Sequence, residues 1–222
     1  MLGKGDDDMN LEKYFPKLMM DENEPFDIKA VATEVYTHTQ KSKSFNRTLL
    51  LGGKTSKIIE YAVYFDYDIG HLYDLEHIWL YLDDKDKIVY CECSFHGRYI
   101  KGIMPDESNR IDESLILYCQ PGKHAFAPTP LVFRLLPNYY DTCRHPEARG
   151  LLITSVLEGH MTIDESMNQA VIDYMDQFAF TPADKYFEYK KTFDWIKGDE
   201  LVSYIVNSLD NELEMIHDIK RL

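Results

Sequence analysis

No stretch of this chain approaches the roughly 20 consecutive apolar residues of a membrane span. Its opening, Met1-Leu2-Gly3-Lys4-Gly5-Asp6-Asp7-Asp8, is acidic where a secretory signal would be apolar. These absences predict a cytoplasmic protein with no transmembrane segment. Basic residues are scarce: 24 Lys and Arg face 38 Asp and Glu, a formal net charge of −14. No local basic patch offsets that field, which argues against nucleic acid as a partner. Cysteine is also sparse. Cys91 and Cys93 stand two apart on an expected strand, too awkwardly placed for a disulfide, and C-x-x-C is missing, so these two with Cys119 and Cys143 read as reduced core thiols. Gly52-Gly53-Lys54-Thr55-Ser56 is similar to the end of a phosphate-binding loop but lacks its glycine spacing, and no G-x-S-x-G elbow is present. Cys143 and His145, two apart in an irregular proline-containing segment, read as structural.

A 222-residue chain with 45% hydrophobic residues can bury a large core unaided, and 16 tyrosines suit half-buried β surfaces. Between Ile58 and Tyr140 the signals are mainly β. The runs Ile58 to Tyr67, Tyr73 to Leu82, Ile88 to Phe95, Ser114 to Tyr118 and Leu131 to Leu135 are rich in β-branched and aromatic residues and separated by turns. Leu151 to Leu157 adds another strand-length run. Ile28, Val31, Ala32 and Val35 are spaced more like a helix than a strand, and Arg47 to Gly53 reads as a short strand ending in a turn. Towards the end, Thr162-Ile163-Asp164-Glu165 has capping-box form, and Thr181-Pro182 predicts a short helix over 183–191. Leu201, Ile205, Leu209, Leu213 and Ile216 mark one stripe of a last helix over about 199–220. The expected class is α+β: an antiparallel β-sandwich over residues 1–160 with peripheral helices, and a helical C-terminal extension over 161–222 packed on it.

Chemistry concentrates in three histidine-centred clusters, Gly70-His71-Leu72-Tyr73-Asp74-Leu75-Glu76-His77, Ser94-Phe95-His96-Gly97 and Gly122-Lys123-His124-Ala125. Strand alternation puts Asp74, Glu76, Ile78 and Leu80 on one face and Leu75, His77, Trp79 and Tyr81 on the other. A hairpin through Asp83 to Lys87 would bring the His96 end beside the Asp74 and Glu76 end. Imidazole and carboxylate together suit zinc, manganese, magnesium or calcium, with His71, Asp74 and Glu76 as candidate ligands. His96 and His124 are candidate acid/base groups of a metal-dependent hydrolase, with His77, Ser94 and Lys123 supporting the ligands or touching substrate. The same cluster could instead be a non-catalytic site for a sugar, a lipid headgroup or another small molecule, or a network that only pins strands together.

Two resemblances attach to these residues. Gly70-His71-Leu72-Tyr73-Asp74-Leu75-Glu76 resembles the G-H-R-H-D-W-E heptapeptide of the necrosis-inducing, cytolysin-like proteins, with Leu72, Tyr73 and Leu75 departing from Arg, His and Trp. Asp74-Leu75-Glu76-His77, Ser94-Phe95-His96-Gly97 and Gly122-Lys123-His124-Ala125, in that order, are similar to elements of a vacuolar-protein-sorting-like family, over roughly residues 14 to 140. The resemblance implies a β-sandwich with peripheral helices. From the cytolysin-like proteins it also implies a divalent-cation site at His71, Asp74 and Glu76 and recognition of sphingolipid sugar headgroups.

Overall fold

A computed structural model describes residues 10–220; the acidic lead-in Met1 to Asp8 lies outside the described residues. Along the chain come β1 (Lys17–Asp21), β2 (Ile28–Tyr36), β3 (Gln40–Lys41), β4 (Thr48–Leu49), β5 (Lys57–Tyr67), β6 (Leu72–Leu82), β7 (Ile88–Phe95) and β8 (Arg98–Lys101). They are followed by β9 (Arg110–Ile111), β10 (Ser114–Cys119), β11 (Phe126–Ala127), α1 (Leu131–Arg134), α2 (Tyr139–Arg144) and α3 (Glu165–Met175). The chain closes with β12 (Tyr186–Glu188), β13 (Asp194–Lys197) and α4 (Leu201–Ile219). The class is α+β. One sheet has the order β11-β10-β1-β12, with β9 also on β10, and the other β13-β2-β5-β6-β7-β8. Most pairs are antiparallel, but β1 runs parallel to β10 and β13 parallel to β2.

The sheets bury their facing sides together. Leu18, Leu115 and Leu117 from one meet Ile78, Leu80, Cys91 and Cys93 from the other in a single apolar cluster. All four cysteines are buried and unpaired. The predicted alternation of β6 holds: Ile78 and Leu80 join that cluster, while Trp79 and Tyr81 point behind the sheet and pack with Tyr36, Leu49 and Ile58. Gly102 lies where there is room for nothing larger. An added Cβ would stand 2.8 Å from Cys93 Sγ and closer still to Cys91 Sγ. Gly102→Ala is therefore expected to cost about 1–3 kcal/mol by overpacking; an unchanged thermal midpoint would contradict this packing.

Four expectations give way. The Ile28 to Val35 segment is the strand β2, not a helix; Ala30, Val31 and Ala32 are all buried because a central strand is covered on both faces, which erases alternation. Leu131 to Leu135 is the short helix α1, which follows Pro130. Leu151 to Leu157 makes only an isolated bridge at Leu151 and then turns. The 183–191 segment contains β12 rather than a helix, so the C-terminal region supplies a strand to each sheet as well as α3 and α4. Capping also moves: Asp164, not Thr162, accepts from Met167 N at α3. The apolar stripe of α4 buries Leu201, Ile205, Leu209 and Ile216 as expected. Among the described residues no helix is long and apolar enough to cross a membrane.

Candidate functional site

Antiparallel pairing of β6 with β7 sets Ile78 opposite Cys93, so the three clusters meet where β6 runs past the end of β7. There an open cleft of about 570 Å3 is lined by Asp68, His71, Asp74, Glu76, His96 and Lys123, among others. A second cavity of about 590 Å3, against α2 and the segment after it, shares His96, Lys123 and Arg149 with the first. Three described non-glycine residues with positive φ lie here: Tyr73 (82°), His96 (51°) and His124 (52°). For His96 the cause is local. His96 and Gly97 (φ 73°) are the two central residues between Phe95 and Arg98, the backbone that a two-residue hairpin of primed type requires. Tyr73 is bulky and buried, and its φ is an outlier of the kind found where a fold holds side chains in fixed positions.

Each side chain has a definite partner. Asp68, at the end of β5, accepts the backbone N–H groups of Gly70 and His71 through Oδ1. Its Oδ2 faces Lys123 Nζ at 2.7 Å and His71 Nε2 at 3.2 Å. The other nitrogen of His71, Nδ1, is 2.8 Å from the carbonyl of Tyr73. Asp74 Oδ1 accepts from Leu75 N at 2.9 Å, and Oδ2 lies 2.8 Å from His124 Nδ1. His124 Nε2 stands 3.4 Å from Glu24 Oε1, and Glu24 Oε2 accepts from Gly122 N at 2.7 Å. The His124 ring lies flat on Phe65, centroids 3.8 Å apart, with no exposed surface. Ser94 donates to Glu76 Oε2 and accepts from His77 N at 2.6 Å. His96 Nε2 meets Gln120 Oε1 at 2.8 Å.

His124 and Glu76 ionise oddly for physical reasons. Burial would lower the His124 pKa, but the hydrogen bonds and charges of Asp74 and Glu24 outweigh it and lift it to about 10. Both ring nitrogens then donate, and an imidazolium is clamped between two carboxylates. Burial, then the charge of Asp74, pushes Glu76 well above the ordinary carboxylate range, against the Ser94 hydrogen bond. His77 lies behind the sheet, as its parity required, stacked on Trp79 with Nε2 2.8 Å from Ser44 Oγ. Its Nδ1 is buried without a partner, and burial lowers its pKa to about 4.

These shifts fix the sign of a pH dependence. The folded pKa of His124 exceeds the ordinary value of about 6.5. Its contribution to stability is therefore full below that pH and lost as pH rises through about 10. His77 acts oppositely, withdrawing stability as pH falls from about 6.5 towards 4. Glu76 is held best uncharged, so it too costs stability as pH rises above the ordinary carboxylate range. Between about pH 4.5 and 6.5 the His77 and Glu76 contributions oppose one another, so urea unfolding is expected to show a clear loss of stability only as pH rises from about 6.5 towards 10. A profile flat from about pH 6 to 10 would contradict the His124 clamp.

The predicted residues therefore assemble, but in different roles. His124, expected as an acid/base group, is sealed between carboxylates and lines neither cavity. His96 reaches both cavities. His71, Asp74 and Glu76 do not converge as an ion-binding set: His71 faces Asp68 and a carbonyl, Asp74 is held by His124, and Glu76 by Ser94. Among the described residues no group of three or more His, Cys, Asp or Glu side chains is placed to hold a metal. The donor arrangement does not fit the expected divalent ion. Asp68, Glu24 and Gln120 went unread in the sequence. Only Asp68 carried a usable signal, because Asp-x-Gly-His is the form of a turn in which the carboxylate caps the next N–H groups.

No family model matches the chain, and no curated protein matches it. Among solved structures it is similar to necrosis and ethylene inducing protein 2 from the causal agent of cocoa's witches' broom disease, at 18% identity over 53% of this chain and 66% of that one, with a TM-score of 0.38. It is also similar to the protein NLPPya, solved in complex with glucosamine and with mannosamine, at 17% identity over 53% of this chain and 64% of that one, TM-score 0.37. The chain spans just under two thirds of the length of these structures. Neither of these structures supports the resemblance to a vacuolar-protein-sorting-like family.

Proposed function

We propose that the chain is a non-catalytic recognition module that holds a hydroxyl-rich ligand, a sugar free or at the head of a lipid, in the cleft beside Asp68 and Asp74. One observation carries this reading: the polar groups of the cleft wall are fixed by partners inside the protein before any ligand arrives. Both oxygens of Asp68 and both of Asp74 are engaged by protein donors. A carboxylate has about four lone-pair sites; Asp74, with two protein partners, can still accept a ligand hydroxyl without turning, while Asp68 is met by four groups and serves to hold them in place. Lys123 adds donors alongside, and pre-set donors and acceptors are what neutral polyols need to displace water. An acid/base mechanism could not use the sealed His124 and would rest on His96 alone, whose Nε2 is engaged by Gln120.

Saturation-transfer NMR with methyl glycosides of a hexose, a hexosamine and a hexuronic acid tests the reading. At least one glycoside is expected to bind and remain chemically unchanged, and Asp74→Asn is expected to weaken it by about tenfold, the value of one charged hydrogen bond. Folded protein that binds none of the three, or that cleaves one, would defeat it.

A further inference from the structure

The disagreement between the donor arrangement and a divalent ion has a specific occupant. Lys123 reaches from the loop between β10 and β11 into the turn after β5, where Nζ sits 2.7 Å from Asp68 Oδ2. A side chain at position 70 would displace that ammonium: a Cβ added to Gly70 would fall 2.8 Å from Nζ and 3.4 Å from Asp68 Oδ1. The Lys123 side chain is 24% exposed and borders both cavities. It is therefore a positive charge presented to the cleft. Asp74, the next carboxylate along, is met by His124 at 2.8 Å. A divalent ion bound by oxygen would need several of these carboxylate lone pairs at once.

We propose that the Lys123 ammonium, seated in the Gly70 turn against Asp68, is a tethered cation that takes the place of a metal ion, so that this cleft recognises its ligand without any divalent cation. The proposal rests on the recognition reading above for its ligand, but not for its ion chemistry. An ammonium has three donors. Asp68 takes one, and the others are available to ligand oxygens, so Lys123 both neutralises the carboxylate wall and contacts the ligand. Lysine suits this as a compact point charge on a flexible stem.

The test uses the full chain, stripped with EDTA and titrated with magnesium, calcium, manganese and zinc, reading bound metal by elemental analysis and the thermal midpoint. The wild type is expected to bind no stoichiometric ion at this cleft and to show no ion-dependent midpoint shift. Lys123→Met keeps the aliphatic stem and frees Asp68. It is expected to gain divalent-ion binding, seen as an ion-dependent rise in midpoint, and to bind the methyl glycoside about tenfold more weakly, the loss of one charged contact. A wild-type protein that holds a stoichiometric ion, lost in Asp68→Asn while circular dichroism is unchanged, would overturn the proposal. So would glycoside binding abolished by EDTA in the wild type. If no glycoside binds, the recognition reading fails alone and the ion measurements on the wild type still decide the role of Lys123. Gly70→Ala gives a second handle: crowding the ammonium should reproduce the weaker binding, and unaltered glycoside affinity in both variants would overturn the proposed contact.

Discussion

Replacing His124 by alanine is expected to destabilise the protein by about 3–5 kcal/mol, the range for removing one partner of a buried charge pair. The size follows from what remains. Asp74 and Glu24 have side-chain exposures of 13% and 3%, and both face the ring that would be lost. Two carboxylates deprived of a shared cation must protonate, recruit water or repel each other, each at a cost. The flat contact with Phe65 and the edge contact with Phe26 vanish as well, leaving a void in the layer between the sheets. The clamp also joins distant parts of the chain: Glu24 precedes β2, Asp74 lies on β6, and His124 sits in the loop leading to β11. Urea denaturation at about pH 7 measures the loss directly. The difference between variant and wild type should shrink as pH rises towards about 10, since the wild-type ring itself discharges there. A loss below about 1 kcal/mol would put the ring in the class of an ordinary neutral hydrogen bond and contradict an imidazolium.

The second large effect is on recognition. Asp68→Asn is expected to weaken glycoside binding by about 10- to 100-fold, the equivalent of a charged hydrogen bond worth about 1.5–3 kcal/mol. Asp68 accepts from Gly70 N, His71 N and Lys123 Nζ and faces His71 Nε2. An amide keeps the shape but replaces one acceptor by a donor, so it can satisfy the turn or the lysine but not both. Either choice releases a group that lines the cleft, and the pre-arranged wall is lost before the ligand arrives. Asp68 is buried where it borders the cleft, and the isosteric amide keeps its shape, so circular dichroism with an affinity titration separates loss of fold from loss of binding. Unchanged affinity in a folded variant would remove Asp68 and its partners from the site.

Much of this site could be read from residue spacing. The alternation along β6 separates Glu76 and Ile78 from His77 and Trp79, and the turn through Asp83 to Lys87 brings Ser94 to Glu76. Helix α4 was visible in its stripe, because an amphipathic helix on a surface obeys its period whatever it packs against. The strands that escaped notice lack that local rule. β2 is covered on both sides, so its apolar residues run together and mimic helical spacing. β12 and β13 are short, and their pairing with β1 and β2 is a matter of backbone reach across the chain. The donor arrangement departs from the expected ion site for a related reason. Residue types showed carboxylates and imidazoles gathered together, but not that Lys123 and His124, and Ser94 at Glu76, would satisfy them from within. Glu24 had no legible signal: before Pro25 it reads as part of a break between elements, and only the folded chain places it against His124.

The most direct measurement is a nitrogen-15 chemical-shift map of the full chain titrated with the bound methyl glycoside in the continuous presence of EDTA. Saturable shifts are expected, centred on the backbone amides of Gly70, His71, Leu75 and Lys123, with no new ligand resonances from a product. Shifts confined to α4 or to the face around Tyr81 and Tyr90, or binding that appears only after a divalent ion is restored, would contradict it.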